Sequence, residues 1–205
     1  MSMISPQLSL DQREALVGLL LGDGNLQTES NGKTYRLRIC QSEEHKEYVF
    51  HLYELFKNFT NSPPTLGKAV DRRTGKTYLS WSFSTTQHSC FRFYGQQFYD
   101  EKKEKRIPKI IGRLLKPRSI AYWYMDDGAQ KWKNRSKGVR FCTDNFQRSQ
   151  VESLAQVLQD KHQLKTTLQK QRRNYRIYVS SDSHELLKEL LWDYLIPTMR
   201  YKFPE

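Results

Sequence analysis

Hydrophobic and polar positions follow one order of segments along this chain, and that order occurs twice. Segment 9–23 becomes strongly apolar after its first turn and is predicted to be a helix that ends at Asp23-Gly24. Residues 35–40 alternate between apolar and basic side chains, which is typical of a half-buried strand. A helix over 44–58, a hairpin of strands 66–72 and 77–84, and a closing helix over 87–99 are predicted next.

The second part of the chain repeats this order. It contains a predicted helix that ends at Asp127-Gly128, followed by a strand, a helix, a hairpin and a helix at 138–143, 148–162, 165–181 and 183–194. The spacing from Asp23 to Gln41 is nearly that from Asp127 to Asp144. A duplication explains these matches. We therefore predict an N-terminal half over 1–99, a charged connector over 100–116 and a C-terminal half over 117–205.

The net charge of the chain indicates which class of molecule it binds. The chain of 205 residues has 34 Lys and Arg against 22 Asp and Glu, which gives a formal net charge of +12. A field of this sign attracts polyanions, so nucleic acid is the expected partner. No apolar stretch approaches membrane length, and we expect no membrane association. The cysteines and histidines lack the spacing of a thiolate or imidazole metal site.

An Asp-Gly pair after a helix is, by itself, most often a capping turn with a left-handed glycine. Two such pairs at matching places favour another role, because each carboxylate lies against the negative end of a helix dipole and a bound cation would compensate it. Segments 16–24 (LVGLLLGDG) and 120–128 (IAYWYMDDG) both resemble the nine-residue LAGLIDADG motif. The surrounding order of elements is also similar to that family's unit, over essentially the whole chain.

The resemblance implies an α+β fold of two αββαββα half-units related by pseudo-two-fold symmetry. Each half-unit would have an antiparallel sheet that forms a DNA-binding saddle, and the two motif helices would pack together. Tyr122 and Asp126 stand where the first copy has Gly18 and Gly22, so only one helix carries small residues and the closeness of the helix contact is open.

The implied function is that of the monomeric two-motif members. These are site-specific homing endonucleases that make a double-strand break in a long, nearly asymmetric DNA target and leave short 3′ overhangs. The implied cofactor is Mg²⁺, with Mn²⁺ able to substitute, and the implied partner is double-stranded DNA. The alternatives are an intron RNA maturase or a non-catalytic DNA-binding protein on the same scaffold. Both motif aspartates are present, which favours cleavage, and a dual role with intron RNA stays open.

The resemblance also assigns site residues. The acidic eighth position of the motif falls on Asp23 and Asp127 as metal ligands, and the residues before them are further candidate ligands, namely Gly22 and Asp126. Basic residues near the scissile phosphates fall on Lys105 and Lys202, with Arg106 as a rival to Lys105. Polar residues near the attacking water fall on Gln41 and Asp144. Strict alternation puts Gln41 on the apolar side of its strand unless the strand bends.

The outward faces of the predicted strands are nearly all positive or neutral, whereas an ordinary solvated face carries mixed signs. Such a surface fits the major groove of DNA. The predicted DNA contacts, from these strands and from the loop after each motif, are Asn25, Gln27, Arg36, Arg38, Lys68, Arg72, Arg73, Lys76, Tyr78, Ser80, Gln130, Lys131, Lys133, Arg135, Arg140, Lys170, Arg172, Arg173, Arg176 and Tyr178.

Overall fold

The structure is a computed structural model that describes residues 6–133 and 135–205. It contains two compact units. The first unit comprises the chain up to Arg13 together with Asp23–Gly95, and the second comprises Glu14–Gly22 together with Gln96–Glu205.

The first unit is built on a four-stranded antiparallel sheet of order β1-β2-β4-β3. Its elements, in chain order, are the start of helix α1 (Leu10–Leu21), β1 (Asn25–Gln27), β2 (Arg36–Ser42), α2 (Lys46–Phe56), β3 (Thr65–Val70), β4 (Thr77–Ser84) and the start of α3 (Arg92–Phe98). Alternation along β2 buries Leu37 and Ile39 and turns Arg38 outward. Helix α2 packs on β2 and β4 and buries Val49 and Leu52. The core therefore lies on the helical face of the sheet.

The second unit repeats the arrangement, with sheet order β5-β6-β8-β7. Its elements are α4 (Ile111–Leu114), α5 (Pro117–Asp127), β5 (Gly128–Gln130), β6 (Val139–Phe141), α6 (Arg148–His162), β7 (Thr166–Gln171), β8 (Asn174–Val179) and α7 (His184–Leu191). Proline at the first position of α5 fits its role as a helix start. Helix α6 covers the sheet through Val151, Leu154 and Leu158, which are all buried.

Most predicted elements are confirmed, including the helix over 148–162, and their ends show what the pattern missed. The first hairpin strand ends at Val70, and the strand predicted over 138–143 is reduced to Val139–Phe141. Strands β1 and β5 lie in segments that the pattern assigned to loops. Three residues are too few for alternation to be visible. In the predicted connector, 111–114 form a short helix.

Helix α1 and helix α5 are apolar around most of their circumference, as expected of buried helices. Their contact depends on glycine. A Cβ atom added at Gly18 would lie 2.2 Å from the Ser119 carbonyl oxygen, and one at Gly22 would lie 2.5 Å from the Cβ of Asp126. The glycines of α1 thus face the larger residues of α5, so one small stripe is enough for close packing. No helix in the described part of the chain is long and apolar enough to cross a membrane.

Candidate functional site

The glycine that ends the second motif is not left-handed. Gly128 is extended, with φ −76° and ψ 145°, and begins β5. Among the described glycines, positive φ values occur at Gly32 and Gly75, so Gly24 is not left-handed either. The expected left-handed conformation is therefore wrong at both motifs, although the Gly128 N–H still donates to the Tyr124 carbonyl oxygen at the end of α5. Glycine is needed at position 128 for space, because a Cβ there would lie 2.2 Å from the ring of Tyr124 and 2.4 Å from its carbonyl oxygen.

The first motif carboxylate lies next to a predicted partner. Asp23 is exposed after the end of α1, and the Gln41 side chain donates a hydrogen bond from Nε2 to Asp23 Oδ2 over 2.9 Å. Strand β2 keeps its regular pairing through this point, with Gln41 opposite Trp81, so the strand does not bend. Gln41 shares the face of Ile39 and is half-buried at its edge. That face therefore presents an amide to Asp23.

The second motif differs. Asp127 ends α5, and its backbone carbonyl accepts a hydrogen bond from the Cys142 amide over 3.0 Å. Asp144 is bound by Arg176, which donates from Nε to Oδ1 over 2.9 Å and from Nη2 to Oδ2 over 2.5 Å. These hydrogen bonds hold the pKa of Asp144 below its usual value and raise that of Arg176. The negative charge of Asp127 adds to the rise at Arg176.

Sequence reasoning assigned Arg176 to the DNA surface and missed its pairing with Asp144. The signal was weak, because Arg176 is one of three arginines in its hairpin. The strand pairing shows which residue of the first half corresponds to Arg176. Ile39 pairs with Phe83, and Phe141 at the matching position pairs with Ile177. Arg176, one residue before Ile177, is therefore the counterpart of Ser82.

By the same register, the counterpart of Gln41 is Thr143. The sequence segments Arg38 to Gln41 and Arg140 to Thr143 also align in this register. The Thr143 hydroxyl is buried and donates to the Tyr175 carbonyl oxygen over 2.5 Å. Position 143 therefore offers no amide to the second motif.

The two predicted lysines occupy matching positions. Lys105 Nζ donates to the Gly22 carbonyl oxygen over 2.7 Å. Lys202 Nζ donates to the Asp126 carbonyl oxygen over 2.9 Å and also to that of Met125. In each case the ammonium group binds the residue that precedes the motif aspartate.

Arg106, the rival of Lys105, is turned elsewhere. Its guanidinium donates to the carbonyl oxygens of Gln96 and Gln97 over 2.9 and 3.2 Å. The geometry therefore distinguishes Lys105, whose ammonium group reaches the end of the motif, from its neighbour.

The motif ends offer oxygen atoms, which are the ligands that hard divalent cations prefer. The carbonyl oxygens of Gly22 and Asp126 each accept a hydrogen bond from a lysine ammonium group in this structure. Across residues 6–133 and 135–205 no group of three or more His, Cys, Asp or Glu could hold a metal. Each motif therefore offers one carboxylate, and Mg²⁺ commonly takes its remaining ligands from water and substrate phosphates.

Many predicted DNA contacts lie on outward or terminal positions of the two sheets. All six residues of β3, including Lys68, are exposed, and Tyr78 on the paired strand β4 is 56% exposed. Asn25 pairs with Arg38 in the ladder, and Ser80 pairs with Gly67. The remaining residues in strands and hairpin turns are Arg72, Arg73, Lys76, Arg140, Lys170, Arg172 and Arg173. Lys131, with its ammonium 4.2 Å from the Tyr178 ring centroid, and Lys133 and Arg135 follow β5.

Several predicted contacts, besides the Arg176 described above, are hydrogen-bonded within the protein. Arg36 donates to Gln27 over 3.2 Å and forms an ion pair with Glu29 at 3.1 Å. Gln130 donates from its amide to the carbonyl oxygens of Tyr201 and Phe203, both over 3.1 Å. Gln130 therefore ties β5 to the C-terminal segment.

Residues 13–187 match the model of the LAGLIDADG DNA endonuclease family. The chain belongs to this family. It is similar to DNA endonuclease I-ChuI of Chlamydomonas applanata, with 35% identity over 207 residues that cover 95% of each protein. It is also similar to cytochrome b mRNA maturase bI2 of Debaryomyces hansenii, with 31% identity over 199 residues that cover 95% of this chain and 74% of the maturase.

The fold is also that of a solved homing endonuclease. I-WcaI bound to its DNA recognition sequence matches with a TM-score of 0.90 and 29% identity, covering 96% of this chain and 87% of that one. The prediction of an α+β fold with a four-stranded antiparallel sheet in each repeated half is confirmed.

Proposed function

We propose that this chain is a site-specific homing endonuclease that cuts both strands of a long, nearly asymmetric DNA target and leaves short 3′ overhangs. It acts as a monomer, in which an N-terminal half (1–99) and a C-terminal half (117–205), joined by the connector 100–116, supply one motif each. The observation that carries the proposal is the matched pair of lysines. Lys105 and Lys202 each bind the carbonyl oxygen of the residue before a motif aspartate.

The cofactor in this proposal is Mg²⁺, for which Mn²⁺ can substitute, held by Asp23 and Asp127 with the carbonyl oxygens of Gly22 and Asp126 as further donors. Hard cations prefer such oxygen ligands, and when bound they stabilise the charge that builds on phosphate during hydrolysis. A variant of the homing endonuclease I-DmoI, which shares the fold at 14% identity and a TM-score of 0.51, was solved with its target DNA in the presence of Mn. Mg²⁺ itself is our inference from the ligand chemistry.

The chain's own residues have distinct parts in this proposal. Lys105 and Lys202 place a positive charge near each scissile phosphate, where it stabilises the developing negative charge. Gln41 fixes the Asp23 carboxylate and orients the water in the first half. In the second half Asp144 orients Arg176, whose guanidinium suits phosphate because its donors form a planar fork.

The exposed strands read the target. A strand that is exposed along its whole length, such as β3, gains burial when it enters the major groove. The outward cations bind phosphates, and if six to ten of them do so, affinity falls on the order of 10³ to 10⁵ between 50 and 200 mM salt.

The test is cleavage of the uninterrupted insertion site. A plasmid that carries the joined sequences flanking this reading frame's own intron is incubated with the full chain and Mg²⁺. We expect a linear product that disappears with EDTA and in Asp23→Asn and Asp127→Asn. The control is Asp160→Asn, which neutralises an exposed carboxylate on α6 and should cut normally. If the motif variants cut as well as wild type, the assignment of the two carboxylates is refuted.

A second candidate function is RNA splicing as a maturase, favoured by the similarity to maturase bI2. A maturase needs a basic surface but not the motif carboxylates. If the wild-type chain leaves the plasmid intact in Mg²⁺ but promotes splicing of its host intron, the chain is a maturase.

A further inference from the structure

A basic pocket lies beside the second sheet, outside the motif site. It has a volume of about 700 Å³ and combines the loop after β5, helix α7 and the C-terminal segment. Five cationic side chains line it, and Glu205 is the acidic residue among its described lining; the cations are Lys133, Arg135, Lys137, Lys188 and Arg200. An excess of positive charge around a cavity of this size attracts an anionic ligand.

The cations around Trp192 differ in their counter-charges, because the Glu185 carboxylate interacts with Lys188 and Lys137. The Arg200 guanidinium lies 4.6 Å from the Trp192 ring centroid, and the Lys188 ammonium lies 5.2 Å from it. Stacking on an aromatic ring fixes the position of a cation but does not neutralise it. Arg200 Nε is buried and has no hydrogen-bond partner within the described residues. The ion pair of Lys137 with Glu185 is long, at 3.9 Å, and exposed.

The pocket is continuous with the proposed DNA surface. Gln130 on edge strand β5 binds the carbonyl oxygens of Tyr201 and Phe203, so the sheet edge and the C-terminal segment are held together. Lys202, two residues after Arg200, reaches the carbonyl oxygen of Asp126 at the second motif. Gln130, Lys133 and Arg135 line the pocket and are also predicted DNA contacts, so a duplex bound by these residues would lie against the pocket.

We propose that this pocket binds sugar-phosphate groups of the duplex beyond the edge strand β5, so that the protein holds DNA outside the segment whose bases the sheet reads. The proposal rests on the proposed endonuclease function. Phosphate contacts of this kind fix position and affinity without reading sequence. The ligand is duplex DNA because the pocket shares residues with the surface that the proposed endonuclease function assigns to DNA.

The test uses the intact duplex whose sequence is cut in the plasmid experiment, prepared in two lengths. The long duplex extends a full helical turn past the recognised target at each end. The short duplex lacks this extension on the side bound by the second half. Affinity is measured by fluorescence anisotropy with Ca²⁺ in place of Mg²⁺. The variants are Lys188→Gln and Arg200→Gln, and the matched control is Lys161→Gln, which removes one exposed cation from α6.

We expect wild type to bind the long duplex more tightly than the short one, and both pocket variants to lose that difference. The control should keep it. Each lost phosphate contact should lower the slope of log affinity against log salt by about 0.9, so the deficit of a variant shrinks roughly threefold between 50 and 200 mM salt. Circular dichroism melts check that Arg200→Gln is folded. If Arg200→Gln is unfolded, the test relies on Lys188→Gln, which changes an exposed residue.

Two results would refute DNA binding by the pocket without refuting the proposed endonuclease function. One is equal binding of both duplexes by a wild-type chain that cuts its target. The other is a loss in the pocket variants that appears only with a structured intron RNA. A wild-type chain that cuts no plasmid instead overturns the proposed function, and the pocket proposal with it.

Discussion

The close contact at Gly18 predicts that Gly18→Ala destabilises the protein, although helix propensity alone predicts the opposite. Alanine is favoured over glycine inside a helix by about 1 kcal/mol, so Gly18→Ala would stabilise α1 in isolation. In the folded chain the new Cβ would lie 2.2 Å from the Ser119 carbonyl oxygen, 2.8 Å from the Tyr122 Cβ and 2.9 Å from the Trp123 nitrogen. Two of these atoms belong to backbone, so no side-chain rotation relieves the contact. The helices must move apart by about 1 Å to reach ordinary contact.

The cost of this movement outweighs the gain in propensity. Overpacking a well-packed core costs typically 1–3 kcal/mol, and separating two buried helices also loses dispersion contacts along their length. With a cost of about 3 kcal/mol and a gain of about 1 kcal/mol, the net loss of stability is about 2 kcal/mol. For a chain of this size that loss lowers the melting temperature by roughly 4–8 °C.

The measurement is a thermal and urea unfolding series followed by circular dichroism. The matched control is Gly112→Ala in helix α4, where the nearest heavy atom outside the local chain, on Val157, lies 3.5 Å from the new Cβ. That distance is an ordinary contact, so we expect no loss of stability. If Gly18→Ala melts at or above the wild-type temperature, the helices do not need glycine at this contact and the reasoning is refuted.

Three further predictions concern the site. Tyr124 donates a hydrogen bond of 2.6 Å to the Lys202 carbonyl oxygen and so positions the backbone of that lysine. For Tyr124→Phe we expect a stability loss of about 1 kcal/mol and a fall in kcat larger than the change in KM; an unchanged kcat contradicts this positioning role. Asp144→Asn breaks the pairing with Arg176. Because the folded pKa of Asp144 is lowered, that pairing stabilises the protein above the unfolded pKa and is lost as pH falls through the folded value. The gap in melting temperature between wild type and Asp144→Asn should therefore shrink below about pH 4, and a constant gap would contradict it. Arg176→Gln should slow cutting of one strand, so that nicked plasmid accumulates before linear product; equal slowing of both strands would argue against a role confined to one half.

Local patterns in the sequence predicted the elements, while contacts between distant segments remained open. The helix over 148–162 was predictable because its apolar spacing extends over four turns. The family resemblance assigned Lys202, and the family-like spacing before the second motif favoured Lys105 over Arg106. The pairing of Asp144 with Arg176 was not predictable, because it depends on the register between β6 and β8, which no local pattern encodes.

The hydrogen-bond partners of single polar side chains were also not predictable from the sequence. Gln130 lies in a loop-like, polar sequence that fits a DNA contact, yet its amide binds carbonyl oxygens of the C-terminal segment. Nothing in the residues around position 130 shows that this segment returns there. Gln41 shows the converse, since alternation placed it on the apolar side, where its length still lets it reach Asp23.

Differences between the two motif helices favour their contact with each other over a contact between two copies of α5. A contact between two identical subunits uses the same patch on each. Helix α1 presents Gly18 and Gly22, and α5 presents Tyr122 and Asp126 at the corresponding positions, so each helix complements the other and not itself. Two copies of α5 would set Tyr122 against Tyr122 without a glycine to receive it, so overpacking disfavours a symmetric contact between two copies of α5.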